Sequence, residues 1–212
     1  MRFRNGLTAC LAAAAMFLVA NGTALAGGEA RTHDGFFLRL STGFGAANAD
    51  ISDATGSLEI SGTAGDVNLA VGGMISPNLA LHGTLWGWSM SDPDGKLSIT
   101  GFGSGSGTLN GDLTMGAIGA GVTYYIMPSN FYLSGSLGMG SLNGTKDMDG
   151  KTKPGLALDG TVGKEWWVGD AWGLGLNGGI SYFSSKDDTI LGGIPENWSG
   201  PAFALRFSAT FN

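Results

Sequence analysis

Cysteine is almost missing. Cys10 is the only one in 212 residues, and it lies in an N-terminal stretch that reads as a removable leader. The mature chain therefore has no disulfide and no thiolate metal site, and it needs no oxidising compartment to hold its fold. Histidine is nearly as scarce, at two residues, His33 and His82. Charged residues make up only 13% of the chain. Acids outnumber bases, 17 to 11, which excludes a basic nucleic-acid footprint. Proline is sparse, and no triplet period accompanies the 39 glycines, so a collagen-like chain is excluded. Hydrophobic residues at 43% argue against disorder. Beyond the leader no run of about 20 apolar residues occurs, so no transmembrane helix is expected.

The leader has three parts. "MRFRNG" carries two arginines and no acid, "LTACLAAAAMFLVA" is apolar, and "ALA" at Ala24–Ala26 places small residues where a signal peptidase reads. Cleavage is expected after Ala26. Cys10 stands at the start of the apolar run, where a lipoprotein cysteine does not belong. Of the 11 bases, Arg2 and Arg4 leave with the leader, so the mature chain sets nine against 17 acids and carries a net charge of −8.

From Gly35 onward the apolar period is 2, the period of a strand with two unlike faces. Phe36, Leu38, Leu40, Thr42 and Phe44 alternate with Phe37, Arg39, Ser41, Gly43 and Gly45. Phe131, Leu133, Leu137 and Met139 alternate with Tyr132, Ser134, Ser136 and Gly138, and the C-terminus sets Phe203, Leu205, Phe207, Ala209 and Phe211 against Ala204, Arg206, Ser208 and Thr210. Eight strands are expected, at roughly 35–46, 58–75, 79–90, 109–126, 131–142, 155–168, 172–184 and 201–212. Two have unclear parity. Trp86 and Trp88 oppose Leu81 and Leu85, and 109–126 switches phase between Met115 and Ile118. A bulge at Gly83, Gly87 or Gly116 accounts for either.

The connections alternate in length. "SPN" (76–78), "PSN" (128–130) and "GDA" (169–171) are tight turns. Long links lie at 47–57, 91–108, 142–154 and 185–200. Short turns at one end and long loops at the other fit an all-β, eight-stranded antiparallel transmembrane up-and-down barrel, with turns in the periplasm and loops outside. The expected organisation is a signal peptide at 1–26, a short periplasmic segment at 27–34 and the barrel at 35–212. A spanning sheet must close, because an unpaired backbone group in hydrocarbon costs several kcal/mol. The non-apolar face of Gly, Ser, Thr, Asn and isolated charges fits a narrow lumen, and the apolar face fits lipid.

"KEWWVGDAWGLGL" places Trp166, Trp167 and Trp172 around one turn, half of the six tryptophans. At a lipid–water boundary an indole buries its ring and wets its N–H. A periplasmic aromatic girdle of Tyr124, Tyr125, Phe131, Trp166, Trp167, Trp172 and Phe211 is expected, joined by Phe36 and Tyr132, with Lys164 snorkelling to the boundary. Phe44, Trp86, Trp88, Tyr182 and Phe203 mark an outer girdle.

The chain from Gly35 to Asn212 resembles the small eight-stranded outer-membrane β-barrel proteins of Gram-negative bacteria. The last strand, "AFALRFSATFN", looks like their assembly signal, with Phe211 penultimate, which implies the barrel-assembly machinery as a partner. "AIGAGVTYYIMPSNFYLSGSLG" and "GKEWWVGDAWGLGL" are similar to segments of uncharacterised barrels typical of myxobacteria and their relatives. The resemblance implies fold and outer-membrane location, and it carries no catalytic residues.

Candidate chemistry is thin. Arg39, Asp66, Asp159, Glu165 and Arg206 share the small-polar face, and a salt-bridged plug is expected, since unpaired charges in a narrow lumen are costly; a gating role is the functional alternative. Catalysis would need a nucleophile beside a base, and His82, near Ser134 and Ser136 by parity alone, reads as a lumen hydrogen-bonder. "DPDGK" (92–96) and "DMDGK" (147–151) lack the later bidentate acid of a calcium loop and read as turns. "GFGSGSG" (101–107) precedes no helix and reads as a flexible loop tip. "NGT" at Asn143 and "NWS" at Asn197 match a glycosylation pattern that has little meaning in a bacterial envelope. No cofactor, metal or nucleic acid is expected. Lipid and the assembly machinery are the expected partners, and the chain is expected to be a monomer. The expected function is non-enzymatic: a barrel displaying acidic loops (Asp50, Asp53, Asp92, Asp94, Asp147, Asp149, Asp187, Asp188) for surface interaction or envelope integrity. The alternative is a channel or carrier for a small or hydrophobic solute.

Overall fold

The structure is a computed structural model describing residues 33–52, 56–187 and 196–211. The signal peptide, most of the 27–34 segment, Asp53 and Asp188 lie outside the described residues, as do the side chains of Asp187 and Glu196. The alternating segments form strands β1 (Phe36–Ser52), β2 (Gly56–Ser76), β3 (Leu79–Ser91), β4 (Asp94–Ile99), β5 (Gly103–Thr108), β6 (Asp112–Ile126), β7 (Phe131–Gly144), β8 (Gly150–Lys151), β9 (Gly155–Trp167), β10 (Trp172–Asp187) and β11 (Glu196–Phe211). Eight of them close a barrel, every neighbour antiparallel: β1, β2, β3, β6, β7, β9, β10, β11 and back to β1. Leu38 opposes Phe211 across the closing seam, so the first and last strands meet at the tight-turn end. Val168 N–H donates to the Trp172 carbonyl at 2.9 Å and closes the Gly169–Ala171 turn. Asn130, in the turn before β7, has φ 55°, a conformation its short amide side chain tolerates.

The two faces of each strand separate as their residue types demand. Leu40, Phe44, Val67, Val71, Leu85, Ile118, Leu137, Val162, Leu205 and Phe207 all point out of the barrel and are exposed. Each would forgo about 1.5–3 kcal/mol in water, so a belt of this extent belongs in hydrocarbon. The opposite face fills the lumen in three tiers. Ala70, Ala80, Phe37, Tyr125 and Tyr132 pack at the turn end. Polar side chains occupy the middle. Ile60, Ala64, Trp86, Trp88, Met90, Leu113, Met115, Leu142, Phe183 and Trp198 pack at the loop end.

That upper tier corrects two expectations. Trp86 and Trp88 are 3% and 2% exposed and face the lumen, so they belong to no outer girdle. The phase change within β6 needs no bulge at Gly83, Gly87 or Gly116, because the β3–β6 register runs unbroken from Leu79↔Tyr124 to Ser91↔Asp112. The β2–β3 register shifts only between Met74 and Ser76, beside the turn. The strands keep their parity, and the lumen changes from polar to apolar along its length. Phe44, Tyr182 and Phe203 do face outward.

A third correction concerns the long link after β3. "GFGSGSG" is not a loop tip throughout. β4 and β5 form a hairpin, and β4 pairs with the upper part of β2 from Gly56↔Ile99 to Ser61↔Asp94. In "DPDGK" the turn sits at Asp92, φ 47°, while Asp94 and Gly95 already belong to β4. The hairpin carries the barrel wall beyond the closed cylinder. The loop after β7 holds a single 3-10 turn, Lys146–Met148, and the short β8, which pairs with β7.

Candidate functional site: an occluded lumen

The middle tier is built by inward positions on facing strands. Arg206 of β11 lies opposite Gly43 and Asn177, and beside Gly43 across the next ladder is Asp66. Gly179 of β10 leaves the guanidinium its room, because a Cβ there would run into Nη1, Cζ and Nη2. Arg206 Nε donates to Asp66 Oδ1 and Nη2 to Asp66 Oδ2 at 3.1 Å. Nη2 also donates to Asp159 Oδ2 at 2.9 Å, and Nη1 to Thr161 Oγ1 at 3.1 Å. Asp159 Oδ1 accepts from Asn68 Nδ2 at 3.1 Å and from Thr161 Oγ1 at 3.2 Å. All of these side chains are buried. One cation thus holds two carboxylates from opposite sides of the barrel and ties β2, β9 and β11 together. Charge-assisted bonds of this kind are about twice as strong as neutral ones, and here they offset the cost of taking three charges out of water.

The five charges expected to cluster do not all meet. Arg39 lies apart from the Arg206 triad. It donates through Nη2 to Ser134 Oγ at 2.8 Å and Thr123 Oγ1 at 3.3 Å, and its guanidinium sits 4.4 Å from the Tyr132 ring centroid. Glu165 accepts from Thr210 Oγ1 at 2.6 Å and from the Tyr125 hydroxyl at 3.2 Å. The lumen is therefore a triad flanked by two charges held by hydroxyl groups and rings.

His82 is buried between two hydroxyls, Thr84 Oγ1 at 2.8 Å from Nδ1 and Thr123 Oγ1 at 3.0 Å from Nε2. Ser136 reaches it only through Thr84, and Ser134 only through Thr123. Among the described residues no carboxylate orients the ring and no hydroxyl is both adjacent and exposed, so the arrangement is a structural network rather than an activated nucleophile. Among the described residues no three His, Cys, Asp or Glu side chains gather as a metal site requires.

The expected periplasmic girdle divides in two. Trp166, Trp172, Tyr124 and Phe131 face outward, each more than a third exposed. The Phe211 ring lies 5.2 Å from Trp172 and 6.3 Å from Phe36. Lys164 Nζ lies 4.5 Å from the Phe131 centroid and donates to the Ser129 carbonyl at 2.9 Å. Tyr125 and Trp167 are corrections, as is Tyr132. Tyr125 and Tyr132 are fully buried in the lumen, and Trp167 turns inward against His33, ring centroids 5.0 Å apart. Strand parity already carried the signal: Trp167 stands two residues after the inward Glu165, and Tyr125 two after the inward Thr123.

Sequence reasoning also missed His33. It does not merely precede the barrel. Its ring stacks on Tyr125 at 3.7 Å and its Nε2 lies 2.7 Å from Asn130 Oδ1, which caps the turn end of the lumen. No local pattern marks it, because its partners lie about a hundred residues away.

The fold has solved counterparts. The outer-membrane protein OprG of Pseudomonas aeruginosa is 14% identical, with 85% of this chain and 98% of that chain covered and a TM-score of 0.50. Neisserial surface protein A (14%, 83% and 96%, TM-score 0.47) and the outer-membrane protein AlkL (15%, 90% and 94%, TM-score 0.47) are also similar. No protein-family model and no curated protein matches the chain. The fold is that of a small outer-membrane β-barrel, a closed cylinder of eight antiparallel strands. Likeness at this identity is likeness of fold, and function has to be argued from the lumen and the loops.

Proposed function

We propose that the chain is an integral protein of a bacterial outer membrane, non-enzymatic, whose occluded barrel is a rigid stand for segments displayed outside the cell. Its role is surface contact or envelope integrity. The observation that carries this reading is the Arg206–Asp66–Asp159 triad, buried across the lumen with an apolar tier above it and the His33–Tyr125 stack below. An eight-stranded barrel has room for little more than its own side chains, and here charge pairing and aromatic packing use that room. The displayed side is acidic, with Asp92, Asp94, Asp112, Asp147 and Asp149 all exposed, and it suits cations or basic partners. Export through a cleaved leader and insertion through the C-terminal strand belong to the same proposal.

Conductance in planar bilayers tests it. The protein is expected to show no steady open level, and Arg39→Gln and Arg206→Gln are expected to lower heat stability without opening one. A steady open level in the unaltered protein overturns the closed-stand reading in favour of a solute channel. Gel migration of outer-membrane fractions with and without boiling tests the membrane barrel itself, which is rejected if heating changes nothing.

A further inference from the structure

The β4–β5 hairpin ends in an unpaired strand. Among the described residues β5 pairs with β4 and with nothing else. The direction of its free groups follows from the turn. Phe102 N–H donates to the Ile99 carbonyl at 3.1 Å, so Ile99 directs its backbone groups toward β5. Alternation in an antiparallel ladder then turns Leu97 and Gly95 toward Gly105 and Gly107. It leaves the N–H and C=O of Ser104, Ser106 and Thr108 directed away from β4, into solvent. Edges of this kind are normally blunted by charge, proline, a bulge or a covering segment. Gly103–Thr108, "GSGSGT", carries none of the first three, and every residue in it is exposed.

The two faces of the hairpin differ. One face pairs Asp94, Lys96 and Ser98 with Thr108, Ser106 and Ser104, and Lys96 meets Glu59 at 3.7 Å. The other sets Leu97 and Ile99 opposite Gly105 and Gly103, so β5 has no side chain to cover them. Leu97 and Ile99 are 49% and 45% exposed, and Phe102 at the tip is 90% exposed. At the base of β5 stand Asp92, Asp94 and Asp112. Their carboxylates accept from Gly111 N–H, Thr108 Oγ1 and Ser91 Oγ, and none forms an ion pair among the described residues.

We propose that the free edge of β5 is a docking site for an extended polypeptide segment of another protein, added as a further strand. The three features set the chemistry of that segment. Free backbone groups at Ser104, Ser106 and Thr108 pair with its main chain. Apolar side chains at alternate positions lie over Gly103 and Gly105 and reach Leu97, Ile99 and Phe102. A basic end sits at the base, against Asp92, Asp94 and Asp112. This is strand addition, in which the main chain supplies affinity and alternate side chains supply selectivity.

A second copy in the same membrane does not fit. Two antiparallel β5 edges would be related by a twofold along the sheet normal, whereas coplanar barrels are related by an axis along the membrane normal. The hairpin continues the barrel wall, so these directions are nearly perpendicular. This step rests on the outer-membrane reading above.

The test uses the mature protein in lipid nanodiscs and a synthetic peptide, Lys-Lys-Val-Thr-Val-Ser-Val-Thr, written to run antiparallel to β5 with its lysines at the base. Hydrogen exchange at Ser104, Ser106 and Thr108 is expected to slow at saturating peptide, while a peptide with glycine for every valine leaves it unchanged. Ser106→Pro removes one free-edge donor and keeps the β4–β5 ladder, as unchanged exchange at Gly105 and Gly107 would show. It should bind the peptide roughly fivefold more weakly, the worth of about one hydrogen bond, whereas Ser106→Ala should bind it normally. The proposal is overturned by unaltered exchange at the three amides, by equal binding to S106P, or by slowing that follows protein concentration without peptide, which would mean that copies pair. Heat-shifted migration of the same sample is read separately, so failure of the membrane reading is distinct from failure of the edge to bind.

Discussion

Arg206 and Asp159 meet across the barrel interior at 2.9 Å, Nη2 to Oδ2, both side chains almost without solvent exposure. The same guanidinium holds Asp66. Removing the cation alone leaves two carboxylates buried near each other. Arg206→Met is expected to destabilise by about 3–5 kcal/mol, the range for breaking a buried pair. The triple variant R206M/D66N/D159N removes all three charges and should recover much of that loss. The temperature at which the boiled gel form appears measures both. A single variant as stable as the parent would show that the triad does not close the lumen.

Gly43 separates inward from outward small residues. A Cβ at Gly43 would land against the Leu205 carbonyl oxygen and beside the Arg206 backbone, whereas one at the outward Gly135 meets nothing within 4 Å. Gly43→Ala should cost about 1–3 kcal/mol through forced backbone shifts, and Gly135→Ala should be neutral. Urea unfolding from detergent micelles compares the two. Equal stabilities would mean that β1 and β11 approach less closely than the register from Leu38↔Phe211 to Ile51↔Trp198 implies.

Strand alternation was legible because each wall residue answers to lipid or lumen within its own strand. Arg39, Asp66, Asp159, Glu165 and Arg206 all point inward, as their parity requires. Which of them touch was not legible. Arg206 selects Asp66 and Asp159 by ring geometry, and Arg39 is drawn instead to Tyr132 and Ser134. Trp86 and Trp88 misled for a related reason. An apolar residue on the lumen face is indistinguishable in sequence from one on the lipid face once the lumen itself turns apolar. The β4–β5 hairpin escaped notice because the serine and glycine of β5 supply no apolar period, so only its pairing with β4, itself held by β2, makes it a strand.

Asp147 offers a pH-dependent contact outside the membrane. Its Oδ2 accepts from the Asn110 backbone N–H at 2.9 Å and from Asn110 Nδ2 at 3.2 Å. These bonds favour the carboxylate and hold its pKa below the ordinary aspartate value. A lowered folded pKa contributes order that is complete above the ordinary value and is lost as pH falls through the lowered one. The Asn110 amide resonance is therefore expected to stay constant at neutral pH and move only in acid, following the Asp147 carboxyl. Asn110→Ala removes one of the two donors and should shift the Asp147 titration upward. An unchanged Asp147 titration in that variant would show that the contact does not persist in solution.

The tryptophans give a direct reading of which face meets lipid. Trp166 and Trp172 are 49% and 37% exposed on the outer wall, while Trp86 and Trp88 are sealed within the loop-end tier. Brominated acyl chains quench an indole only on contact. In variants keeping one tryptophan each, emission from Trp166 or Trp172 should fall in brominated lipid, and emission from Trp86 or Trp88 should not. The same division governs stability. Trp88→Ala opens a cavity against Phe183, whose ring lies 6.0 Å away, and should cost about 3–5 kcal/mol. Trp166→Ala exchanges one lipid contact for another and should cost far less. Quenching of Trp88 by the bilayer would place the polar side chains in lipid and invert the barrel, a result incompatible with the buried Arg206 triad.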